Sequence, residues 1–173
     1  MNAVIRAYRF ALDPTPAQDA VLRSHCGGQR CAFNWGLALV TANLGQREAE
    51  TSYGIPADEL TPYAPWSAYS LRKTWNQAKN TVAPWWGENS KEAYSSGLAN
   101  LATALGNWKA SKTGKRRGPK VRFPRFKGKR HGMSCRFTTG AFGLPAADRR
   151  HVKLPRIAPG AHPRVHPHAR PAC

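Results

Sequence analysis

Acidic residues are scarce in this chain and almost missing from its last third. Of nine Asp and Glu in 173 residues, only Asp148 falls after residue 108. Two-metal nuclease chemistry needs several carboxylates converging on one site. Asp13, Asp19, Glu48, Glu50, Asp58, Glu59, Glu88, Glu92 and Asp148 are instead scattered over caps, loops and helix starts, where a solvated or capping role is the default. No Ser–His or Cys–His set has supporting context, so no catalytic residue is assigned. Cysteine is also sparse. Cys26, Cys31, Cys135 and Cys173 form no close CxxC pair, which points to reduced thiols in a cytoplasmic protein. No apolar run is long enough to span a bilayer, and "MNAVIRAYRF" lacks the apolar core and cleavage site of a signal peptide.

Positive charge is what the chain has in excess. The formal net charge is +18. Such an excess draws phosphates through a long-range, salt-sensitive field, with an anionic membrane surface as the alternative. The charge is uneven. Residues 1–108 carry nine Lys/Arg against eight acids, and residues 109–173 carry eighteen against one. The first part reads as an ordinary folded protein and the second as a binding surface.

The pattern along the chain predicts an order of elements. "VIRAYRFAL", Val4 to Leu12, alternates as a half-buried strand does. Thr15, Pro16 and Gln18 then open a helix as cap, first turn and capping box. Gly27-Gly28 ends or kinks it. A second, mostly buried helix is expected from about Gln29 to Asn43. Residues 48–66 read as a loop. Ser67 caps a third helix with Ala68, Leu71, Trp75 and Ala78 on one face. "VAPWWGEN" breaks it, and Ser90 caps a fourth with Tyr94, Leu98, Leu101, Leu105 and Trp108 in its stripe. "SCRFTTG" and "HVKLPRI" read as short strands. "APGAHPRVHPHARPAC" has Pro at four-residue intervals and is expected to be a disordered tail with no regular ladder. A lone first strand must find a partner beyond residue 120, which makes the helices an insertion inside a small β unit.

The densest signal is "GKRRGPKVRFPRFKGKR", residues 114–130, in which nine of seventeen residues are Lys or Arg. Lys and Arg here suit phosphate contacts; Phe123 and Phe126 suit either base stacking or anchoring. The bland alternative is a solvated linker. Helices one and two could form a DNA-reading helix-turn-helix, with Gln29, Arg30 and Asn34 as the readers, but the second helix is too apolar for a groove-facing element. His25, Cys26 and Cys31 are too few for zinc, and His162, His166 and His168 read as tail residues without a role. No metal and no cofactor are implied.

Several of these segments together resemble the start of the TnpB (OrfB) family of insertion-sequence proteins. The resemblance lies in "IRAYRFALDPTPAQDAVLRSHCGGQRCAFNWGLAL", in "PWW" followed by Ser90, and in "GPKVRFPRFKGKR", "CRFTTG" and "VKLPRI", in the family's order from about residue 4 to 157. Members of that family are RNA-guided DNA endonucleases, many described as transposases with an N-terminal helix-turn-helix domain. The resemblance implies an α+β fold: a small wedge-type β-barrel, with or without all its strands, carrying an inserted helical recognition domain of about four helices. It implies a first barrel strand in 1–14, the helical insertion in 15–112, the basic segment and remaining wedge strands in 113–157, and a tail in 158–173. The expected partners are a guide-type RNA and DNA, in a bacterial or archaeal cytoplasm near the nucleoid. The expected contacts are Arg116, Arg117, Lys120, Arg122, Arg125, Lys127, Lys129, Arg130 and Arg136, with Ser90 and Lys91 at the start of the fourth helix near a DNA motif. The family's acidic metal site and zinc cysteines have no counterpart here. The sequence therefore reads as a binding fragment, truncated or frameshifted, that does not cut by itself. Two alternatives stand beside it: a helix-turn-helix regulator of a transposon, and a subunit of a nuclease completed by a separate catalytic chain.

Overall fold

The structure is a computed structural model, and it describes residues 10–130, 133–138, 142–144, 150–157 and 163–167. The chain divides into two compact units. One comprises Met1–Arg23 with Phe137–Cys173, and the other comprises Ser24–Arg136.

The second unit is helical. α1 runs unbroken over Pro16–Ser52, 37 residues, which at 1.5 Å per residue is about 55 Å. α2 spans Ala68–Val82, a short 3-10 helix follows at Pro84–Glu88, and α3 spans Lys91–Lys112. α2 and α3 start where the sequence predicts. The Ser67 hydroxyl accepts from the Ser70 N–H at 3.0 Å, and the Ser90 hydroxyl accepts from the Glu92 N–H at 3.3 Å. α1 and α3 both stop on glycine. Gly54 and Gly114 have φ of +79° and +72°. The Ile55 N–H reaches the Glu50 carbonyl and the Lys115 N–H reaches the Ala110 carbonyl, closing two Schellman motifs.

The core gathers one stripe from each helix: Ala32, Phe33, Leu37 and Val40 of α1, Leu71 and Trp75 of α2, and Tyr94, Leu98, Leu101 and Leu105 of α3. Trp75 stacks on Tyr94 with centroids 5.3 Å apart and meets Trp35 edge-on at 5.2 Å. Burying a side chain of this size contributes roughly 1.5–3 kcal/mol, so these rings dominate the unit's cohesion.

Two expectations fail at the same place. Gly27-Gly28 does not end α1. A Cβ at Gly28 would lie 3.1 Å from the Tyr94 ring. Glycine costs about 1 kcal/mol in a helix interior relative to alanine, and here close packing of α3 offsets it. The first two expected helices are therefore one, and the described residues hold three α-helices rather than about four.

The wedge-type β-barrel is also overturned. The described residues are mostly helical. Their one ladder is two-stranded: β1, Phe10–Asp13, runs antiparallel to β2, Arg164–Pro167, with Phe10 opposite Pro167 and Asp13 opposite Arg164. Residues 133–138 and 151–157 hold no described strand, and an isolated bridge joins Gly143 to Lys153. Proline explains much of this, since each one removes a donor that a ladder needs. Pro155 follows Leu154 directly, and Arg156 turns with φ of +60°. The partner of the first strand does come from beyond residue 120. It comes, though, from the stretch expected to lack any ladder. β2 is short enough to place Pro167 at its end, where a missing N–H is tolerated. Val4 to Arg9 and the rest of the expected tail lie outside the described residues.

Candidate nucleic-acid interface

The basic segment leaves the end of α3 as an extended strap, fixed at three points. Gly114 turns the chain out of the helix. The Val121 N–H then donates to the Ser111 hydroxyl at 2.9 Å. Phe123 meets Trp108 edge-on at 4.9 Å, and Trp108 in turn meets Trp66 at 6.2 Å. Finally Asn34 of α1 binds the strap's main chain twice. Its Oδ1 accepts from the Lys127 N–H at 2.8 Å, and its Nδ2 donates to the Lys127 carbonyl at 3.0 Å. With Val121 and Phe123 turned inward, Arg122 and Arg125 are exposed, as are Arg116, Arg117, Lys120, Lys129, Arg130 and Arg136. Arg116 also donates to the Pro119 carbonyl at 3.1 Å, tightening the turn around Gly118, whose φ is +98°.

Three residues differ in position from the rest. Phe123 is an anchor packed against the core, whereas Phe126 is 57% exposed. Lys127 does not point outward with the other cations. Its ammonium lies over the Phe33 ring, 4.0 Å from the centroid, and burial holds its pKa below the ordinary range. Of the residues that could have read bases from a second helix, Gln29 is buried and Asn34 is committed to the strap.

The start of α3 is also occupied from within. Ser90 is buried, and its N–H donates to Nε2 of the fully buried His25 at 3.2 Å. The Ser90 amide is therefore already paired inside the protein rather than free for a phosphate. His25 thus positions the helix start. Among the described residues, no three His, Cys, Asp or Glu side chains group as metal ligands.

Lys91 is exposed and lines a groove of about 340 Å³ between α2 and α3, together with Arg72, Lys79, Asn76, Trp86 and Ser95. The Lys79 ammonium lies 3.7 Å from the Trp86 ring centroid, and the Trp86 indole N–H donates to Asn80 at 2.8 Å. Arg72 and Lys79 were not singled out by sequence. Their seven-residue spacing, two helical turns, was the available signal.

The helix-turn-helix domain of OrfB proteins matches residues 1–48. Residues 16–48 of that match lie in a single helix. Two proteins of Mycobacterium tuberculosis, from strains CDC 1551 and H37Rv, are each 40% identical to the chain over 161 residues, 88% of its length. Both bear the name "Putative RNA-guided DNA endonuclease", and the chain spans 33% of the length of each. No helix among the described residues is long and apolar enough to cross a membrane. The chain thus resembles the N-terminal part of TnpB/OrfB-type proteins.

Proposed function

We propose that the chain is a nucleic-acid-binding module of the TnpB type, acting in the cytoplasm, in which the strap 114–130 grips the phosphate backbone of a guide-type RNA or its hybrid with DNA. The observation that carries this reading is the strap's geometry. Anchors at Ser111, Trp108 and Asn34 hold it, yet eight of its cations remain exposed with no acid among them. Cations held this close repel one another and cost stability unless a polyanion offsets them. The relatives' name speaks of RNA and DNA together, which supports two polyanionic partners here. In this reading the α2–α3 groove, with Arg72, Lys79 and Lys91, meets duplex DNA beside its target. The module binds, and no cutting chemistry is assigned to these residues.

The test is purification without nuclease treatment, sequencing of the nucleic acid that stays bound, and titration of RNA and duplex against salt. A discrete RNA class is expected, with log affinity falling linearly with log salt. Arg72→Ala with Lys91→Ala is expected to weaken duplex and spare RNA. Affinity that does not depend on salt, or a chain that retains no nucleic acid, would overturn the reading.

A further inference from the structure

α1 and the 3-10 helix border a second groove, of about 420 Å³, within the Ser24–Arg136 unit. Gly27, Arg30 and Asn34 line it from one face of α1, spaced three and four residues apart. Trp85 and Glu88 line it from the 3-10 helix, where residues three apart lie on one side. Its floor is bare. Among the described residues, a Cβ at Gly27 would have only the Arg30 guanidinium within 4 Å, at 3.9 Å. The Trp85 ring lies 6.3 Å from that of Tyr94, yet Trp85 remains 39% exposed. Arg30 and Glu88 share the groove, and neither makes an ion pair with a described residue. At the groove's edge Asn34 holds the strap's main chain at Lys127. The exposed Arg125, Lys129 and Arg130 stand on either side of that docking point along the strap.

We propose that this groove receives one unpaired guanine base of the strand whose phosphates lie on the strap, an inference that rests on that reading of the strap. The groove offers an aromatic ring, a fork of donors and a pair of acceptor oxygens. A nucleobase complements all three, with a π face for Trp85 and polar edges for the two charged groups. Guanine matches those groups two on two. Its N1–H and N2–H stand side by side and suit the two carboxylate oxygens of Glu88. Its O6 and N7 suit the guanidinium of Arg30. Adenine would turn the acceptor N1 toward the carboxylate, and uracil offers a single N–H between two carbonyls. The base must be unpaired, because Glu88 takes the edge that a complementary base would use. Gly27 leaves room for it beside α1. Asn34 takes no part in the reading, since both ends of its amide serve the strap.

The experiment titrates the full chain against labelled single-stranded oligouridine RNA of roughly 12 nucleotides. One central position carries uridine, adenosine, guanosine, inosine or 7-deazaguanosine. The guanosine strand should bind about tenfold more tightly than the uridine or adenosine strand. Inosine lacks the N2 amino group and 7-deazaguanosine lacks N7, so each should lose part of that preference. Glu88→Gln should erase the difference between guanosine and inosine, and Arg30→Met that between guanosine and 7-deazaguanosine. Gly27→Leu fills the groove from a helix position where leucine is well accepted, and should remove the preference altogether. Each comparison is between strands on one protein, so general changes in phosphate binding cancel. Equal binding of all five strands to the wild-type chain, with affinity still falling steeply with salt, would end the guanine site and leave the strap reading standing. Binding of the all-uridine strand that ignores salt would end both. Displacement of the guanosine strand by about micromolar free guanosine monophosphate would overturn the strand contact in favour of a nucleotide pocket. The five strands on the wild-type chain decide even where a variant does not fold.

Discussion

Gly97 of α3 sits directly on the main chain of Gln29 in α1. A Cβ added at Gly97 would overlap the Gln29 carbonyl oxygen, and would stand 3.3 Å from the Phe33 amide nitrogen. The obstacle is backbone, so no rotamer change can relieve it. Gly36 of α1 is a second point of close approach, 2.8 Å from Leu101 Cδ2 by the same measure. The two helices cross closely because their contact residues lack side chains.

Gly97→Ala is therefore expected to destabilise the chain by about 1–3 kcal/mol or more, as overpacking does. Gly106→Ala is its control in the same helix. Nothing lies within 4 Å of a Cβ there, and alanine should stabilise by roughly 0.5–1 kcal/mol. Urea unfolding of the two variants measures both. Equal effects would mean that the crossing is not set by Gly97.

Asn34 makes the second kind of contact, side-chain amide to strap backbone. Asn34→Ala removes both of its bonds to Lys127. The lost bonds should cost about 1–3 kcal/mol in local opening. Hydrogen exchange around residues 123–129 should quicken while the α2 and α3 amides keep their protection. Unchanged exchange in the strap would show that Trp108 and Phe123 hold it without Asn34.

Much of this scaffold was legible in the sequence. Ser67 and Ser90 declared their helices because a cap has a local chemical signature that tertiary packing rarely overrides. The stripe from Tyr94 to Leu105 declared its buried face for the same reason. Gly27-Gly28 misled because a glycine pair reads alike whether it ends a helix or admits a neighbouring ring. Only Tyr94, 66 residues away in sequence from Gly28, distinguishes the two. The strap's charge was plain, but its anchors were not. Asn34 and Lys127 lie 93 residues apart, and no periodicity links them. Lys127 looked like any other cation of the run until Phe33 was found beneath it. The barrel was an expectation of the resemblance, and the single ladder from β1 to β2 does not meet it.

The loop after α1 carries a pH-sensitive clip. The Glu50 carboxylate accepts from the Thr61 hydroxyl, from the Thr61 N–H at 2.8 Å, and from Gln46 at 2.9 Å. These bonds, led by the one from the Thr61 hydroxyl, hold its pKa below the ordinary value of 4.5. A depressed folded-state pKa contributes stability that is fully present above the unfolded value and is lost as pH falls through the folded one. The Thr61 amide should thus lose protection below about pH 4.5. Glu50→Gln should abolish that pH dependence while keeping an acceptor. Amide exchange at Thr61, measured from pH 6 down to about 3, decides it. A loop whose opening follows the same curve in both proteins would remove Glu50 from the account.

The strap itself provides the most direct measurement of the proposed function. Replacing Arg116, Arg117, Arg122 and Arg125 with Gln removes four exposed cations from a segment whose anchors lie elsewhere. The fold should survive, because exposed charges contribute little to stability. Each phosphate contact releases counterions, so each one lost lowers the slope of log affinity against log salt by roughly 0.7–0.9. If most of the four bind, the slope should flatten by about 2–3 units. The loss should fall about equally on unrelated sequences, because phosphates carry no sequence information. Lys127→Gln provides the contrast. Its ammonium rests on Phe33, so this change should loosen the strap and leave the salt slope nearly untouched. A folded quadruple variant with the wild-type slope would reduce the strap to a solvated connection, whatever its charge.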